Sequence, residues 1–139
     1  MACVRKTFAV IALLFLLTAC GREAGPKPKA PAPEPGPDAL PTKLTALSVD
    51  QCFLAPKTEA PKGCEKYVTE VGNTTGTVRK RVPEAGPAAD AVDAAVKVFR
   101  TSSCKTASAP GGACTQALVD MANSLESVKT TVNRQATTG

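Results

Sequence analysis

Cys114, Leu118, Met121, Leu125, Val128 and Val132 follow one another at steps of four and three. On a helix those steps stack the six residues into one stripe and turn Asp120, Ser124, Lys129 and Asn133 elsewhere, so the spacing predicts an amphipathic helix. Cys64, Val68, Val71, Thr75, Val78 and Val82 take the same steps. There the pattern competes with Gly72, Gly76 and a run of threonines, each glycine weakening a helix by roughly 1 kcal/mol. The stretch from Tyr67 to Val82 also fits a β-hairpin turning at Gly72-Asn73-Thr74-Thr75-Gly76. Between these segments Pro87-Ala88-Ala89-Asp90 opens a further helix, with proline suited to its first position and an early acid suited to its dipole. Ala88, Val92, Ala95 and Phe99 line its apolar side, and it is expected to end near Cys104. A weaker rhythm joins Leu40, Leu44, Leu47 and Leu54, with Ser48 and Asp50 as interruptions.

The two stripes are related. A shift of 50 residues lays Cys64, Val68, Glu70, Val71, Asn73, Thr74, Val78, Arg79 and Val82 over Cys114, Leu118, Asp120, Met121, Asn123, Ser124, Val128, Lys129 and Val132. A period of that length describes a duplicated helix-loop-helix unit, which tips the 64–82 segment toward helix.

The other long apolar run, Phe8 to Leu17, has no such period. It follows Arg5 and Lys6 and precedes small residues, the layout of a secretory signal. Its length falls well short of the roughly 20 residues needed to cross a bilayer. The run ends in Leu17-Thr18-Ala19-Cys20, which resembles the lipobox of bacterial lipoproteins at all of its positions. The resemblance covers the first 20 residues only. It implies cleavage between Ala19 and Cys20, a diacylglyceryl group on the Cys20 thiol and acylation of the new amino terminus. Several acyl chains make such anchoring stable where one is marginal. The implied location is the bacterial cell membrane, lipid-anchored and facing away from the cytoplasm.

Residues 20–41 then alternate proline with lysine, alanine and glycine, a composition that builds no hydrogen-bonded ladder and no apolar face. Extended at about 3.1 Å per residue, this tether spans up to roughly 60 Å. It serves as a passive spacer or as a polyproline ligand. Residues 42–134 suffice for one domain, with 135–139 as a disordered tail.

That domain holds Cys52, Cys64, Cys104 and Cys114. Four cysteines in an exported chain read as two disulfides, and three pairings are possible. Sequence spacing favours Cys52 with Cys64 and Cys104 with Cys114, because each pair brackets one loop rich in proline or glycine. Closing such loops is worth about 3 kcal/mol each. Zinc is the rival ligand for four thiols, but the tight paired spacing of zinc knuckles is missing and the chain has no histidine. Two stapled helical hairpins laid together give an all-α fold, a small antiparallel four-helix bundle with a core of Val, Ala and Leu.

Charge discriminates little. Against 12 acidic residues there are 17 basic ones, and two of these, Arg5 and Lys6, belong to the signal. The dense cluster Arg79-Lys80-Arg81 either serves a helix carboxyl terminus or contacts anionic headgroups and wall polymers. Nucleic-acid binding is not expected of an exported chain with so modest an excess and no interleaved aromatics. No catalytic base, nucleophile elbow or phosphate loop is present, so an enzyme is not expected, and neither is a cofactor or bound metal. Asp90 and Asp93 share a helix face and read as first-turn acids before they read as a catalytic pair. Asn73-Thr74-Thr75 matches a glycosylation acceptor by chance composition, and Asn73 and Asn123 take matching outward positions. The expected function is non-enzymatic: a lipid-anchored module that recruits or stabilises an envelope protein or binds wall polymer. Alternatives are a carrier holding an apolar ligand between helices and an exclusion or immunity lipoprotein of a mobile element.

Overall fold

Each segment with the four-three rhythm forms a helix in the computed structural model, which describes Gly36 and residues 39–138. The expected signal, the lipid site Cys20 and nearly all of the tether lie outside the described residues. Five α-helices follow one another: α1 (Ala39–Leu47), α2 (Gln51–Leu54), α3 (Glu65–Arg81), α4 (Gly86–Thr101) and α5 (Gly112–Thr138). Short 3-10 turns occupy Pro61–Cys64, Pro83–Ala85 and Cys104–Thr106, and no strand occurs among the described residues.

The hairpin alternative for 64–82 is therefore excluded, and the competition there has a physical answer. Val68, Val71, Val78 and Val82 are all buried, and fully burying such a side chain is worth roughly 1.5–3 kcal/mol. That outweighs the cost of two helical glycines. The buried hydroxyls of Thr74 and Thr75 donate to the carbonyls of Glu70 and Gly72 at 2.8 and 2.9 Å, so neither is left unsatisfied. On α5 the matching residues Leu118, Met121, Leu125, Val128 and Val132 are likewise buried, whereas Cys114 is only partly so. Asn73 and Asn123 both face outward.

The interface of α4 with α5 is the most extensive, followed by α3 with α4; α1 packs on both α3 and α5, and α2 packs on α5. Thr75 pairs with Asp93 and Arg79 with Asp90, an order that reverses along the two chains, so α3 and α4 run antiparallel. The turn at Pro83–Ala85 makes that reversal. The four cysteines form the disulfides Cys52–Cys64 and Cys104–Cys114, with Cα separations of 5.7 and 5.4 Å. The Lys62 N–H donates to the Ala107 carbonyl at 2.9 Å, which ties the two stapled loops together at one end of the domain. At the other end the Arg81 guanidinium donates to the Gly36 carbonyl at 3.0 Å, and Gln135 donates to Glu84 at 2.6 Å.

Three boundaries differ from the expected ones. The leucine rhythm of the first helix stops at Leu47, because the chain turns at Ser48–Asp50 and restarts with Asp50 capping the Cys52 N–H at 2.8 Å. Leu54 consequently stands 59% exposed instead of joining Leu40, Leu44 and Leu47 in the core. The first helix starts at Ala39, ahead of Thr42, and α5 continues to Thr138 through residues assigned to a tail.

Two substitutions test this account. A Cβ at Gly76 meets nothing within 4 Å, so Gly76→Ala should stabilise the domain by about 1 kcal/mol in denaturant unfolding. Ser103, just past α4, has a φ of 55°, and Ser103→Gly should relieve about 1 kcal/mol of left-handed backbone strain by the same measurement.

Candidate functional site

The basic cluster is divided by the fold. On the last turn of α3, Arg79 faces α4 and donates through Nε and Nη2 to Asp90 at 2.9 and 2.7 Å, and through Nη2 to Asp93. These bonds hold the guanidinium in its charged form, Asp93 contributing first and Asp90 second. The buried Thr75 hydroxyl, 2.9 Å from both, shares its one proton between Asp93 and the Gly72 carbonyl. The two carboxylates thus serve as an inter-helix clamp; because α4 starts at Gly86, neither lies in its first turn, where the sequence pattern places them. Arg81 reaches back to the start of the described chain at Gly36, and Lys80 is exposed. Asn73 lies mid-helix with the buried Thr75 two residues on, a poor geometry for a glycosylation acceptor.

A mainly apolar groove lies beside the stapled end. After Leu54, the Ala55-Pro56 step ends α2, and the following loop forms one wall of a groove whose other wall is α5. Phe53, Leu54, Pro56, Val119 and Ala122 make it mainly apolar, with Asn123 and Glu126 at its edge. Asn73 is not part of this lining. Val49 nearby is 66% exposed. The wall is held in place from both sides: Cys52 is bonded to Cys64, and the Lys129 ammonium lies 5.7 Å from the Phe53 ring centroid. Lys129 is itself positioned by Glu126 at 2.7 Å. Sequence reasoning missed this groove because it placed Leu54 on the core stripe; the signal available was the Asp50 cap, which resets the helix phase.

No protein-family model matches the chain, and comparison with curated proteins and with solved structures finds no similar one. Among the described residues no group of His, Cys, Asp and Glu side chains is arranged to hold a metal ion, and no helix is long and apolar enough to cross a membrane.

Among the described residues one buried side-chain polar atom lacks a partner. Tyr67 is 4% exposed, and its hydroxyl makes no hydrogen bond. Burial raises its pKa well above the ordinary 10.0, with a smaller contribution from the Asp50 charge. A pKa higher in the folded than in the unfolded state favours folding below pH 10 and loses that contribution as pH rises above it. Because Tyr67 is the one tyrosine of the chain, its ultraviolet absorbance reports ionisation directly. The phenolate signal should be absent from the folded protein at pH 10 to 11 and appear on unfolding. Tyr67→Phe should leave stability unchanged or raise it by about 1 kcal/mol, and should flatten its decline at alkaline pH.

Proposed function

We propose that the chain is an exported, lipid-anchored protein of the bacterial cell envelope whose helical domain acts by contact with an envelope protein and not by catalysis. Lipobox residues Leu17 to Cys20 support the anchor. The formation of both disulfides supports export, since such bonds persist in oxidising compartments.

The observation that carries the contact reading is the pairing of a filled interior with an exposed apolar groove. Phe99, Leu44, Leu118, Met121 and Leu125 occupy the core with almost no exposure, which leaves an apolar cargo little room between the helices. Leu54 meanwhile stands 59% exposed on a cross-linked wall. Apolar side chains held out on a rigid frame are the usual material of a protein contact. On this reading the domain is a four-helix bundle of α1, α3, α4 and α5, each packed on two neighbours, with α2 as an added turn that shapes the groove. Gly36, the first described residue, is held by Arg81 at the end of the domain opposite the staples, and the exposed Lys80 beside it is available to anionic headgroups or wall polymer.

Two experiments check the proposal. Cys20→Ser should move the protein from the membrane fraction to the soluble fraction and remove the acyl mass from its amino terminus. A photocrosslinker placed at position 54 in intact cells should capture one envelope protein in near-stoichiometric yield, and one placed at the exposed position 130 of α5 should not. Capture of lipid, or equal capture from both positions, would favour the carrier alternative or no specific contact.

A further inference from the structure

We propose that a cleft between the start of α3 and the end of α4 binds a small α-amino acid in its zwitterionic form. The cleft is lined by Glu65, Val68 and Thr69 from α3, Phe99 and Arg100 from α4, and Lys105 from the turn that follows. Its chemistry is sorted by wall. Arg100 and Lys105 present donors on one side, a pair suited to a carboxylate. Glu65 presents a carboxylate on the other. Beside it the Thr69 hydroxyl donates its proton to the Glu65 carbonyl at 2.9 Å, which leaves its oxygen free to accept. An ammonium group suits that wall.

Cations and acid in one cleft usually cancel each other. Here neither Arg100 nor Lys105 comes within salt-bridge distance of Glu65, and none of the three side chains has an ionic partner among the described residues. The Arg100 guanidinium lies back along α3, with Nη2 4.0 Å from the place a Cβ on Gly72 would take. Charges of opposite sign are thus held apart across a gap, the complement of a ligand that carries both. Val68 and Phe99, each 2% exposed, close the base of the cleft.

Size narrows the class. The cleft volume of about 240 Å³ falls below the roughly 300–1,000 Å³ of sites for drug-sized ligands. The Lys62–Ala107 bond and the Cys104–Cys114 disulfide fix the backbone of the loop that carries Lys105. The inference goes beyond the contact reading and does not depend on lipidation or on the groove.

The test is titration of L-leucine into the full chain in detergent, followed by amide chemical shifts. Saturable shifts at Val68, Thr69, Phe99, Arg100 and Lys105 are expected. Isovalerate, which lacks the ammonium, and isoamylamine, which lacks the carboxylate, should each bind more weakly. Arg100→Ala should weaken leucine by about tenfold or more. Glu65→Gln should weaken leucine but leave isovalerate unchanged. Both side chains are exposed, and circular dichroism confirms that each variant is folded. Absence of saturable shifts, leucine binding unaffected by Arg100→Ala, or isoamylamine binding as tightly as leucine would overturn the proposal.

Discussion

The bond from Lys62 to Ala107 joins two loops that are each closed by a disulfide, and the rest of the domain depends on this cross-linked end. The chain has no tryptophan and few phenylalanines, and its core is mostly valine, alanine and leucine. Small side chains bury little area per helix turn, so their packing leaves a modest margin over the entropy of ordering the chain. Two closures worth about 3 kcal/mol each are large beside the 5–15 kcal/mol typical of a folded domain. Cys64 and Cys104 are completely buried, so the staples also serve as core side chains.

From that end the helices run to a second junction, where polar bonds replace covalent ones. Arg79 clamps α3 to α4 through Asp90 and Asp93, and Arg81 and Gln135 fasten the two ends of the described chain. Exposed ion pairs contribute little stability by themselves, and their value here is register. Thr75 extends the clamp inward by reaching Asp93 from a buried position. Ser48 is likewise buried and satisfied, donating to the Leu44 carbonyl at 2.8 Å. Tyr67 departs from this rule. Its ring fills the space between the helices, while its hydroxyl finds nothing to bond.

The two junctions divide the molecule's work. One end carries Gly36 and the basic last turn of α3; the other carries the stapled loops, with the apolar groove and the charged cleft alongside. Rigidity matters for both surfaces, because a preorganised wall loses less entropy when something binds to it.

Helix positions, the buried faces of α3, α4 and α5 and the cysteine pairing are set by local features of the chain. An apolar residue every third or fourth place can bury only as a helix, and a loop of about ten residues between cysteines closes most readily on itself. Even the doubtful segment with Gly72 and Gly76 obeyed its rhythm, because valine burial exceeds the cost of glycine. Local pattern failed where a neighbour decides exposure. Leu54 keeps the spacing of Leu40, Leu44 and Leu47, but the Asp50 cap rotates it out of phase and onto a groove completed by α5. Arg79 reads as one of three solvated cations until α4 arrives with Asp90 and Asp93. Glu65 stands 35 residues from Arg100, and periodicity says nothing of their meeting. The sequence by itself therefore determined where the three long helices lie and which face of each is apolar, since both follow from the spacing of neighbours along one chain. Only the tertiary structure decided which polar side chains meet and which apolar ones stay exposed, because both depend on which distant element lies across the gap.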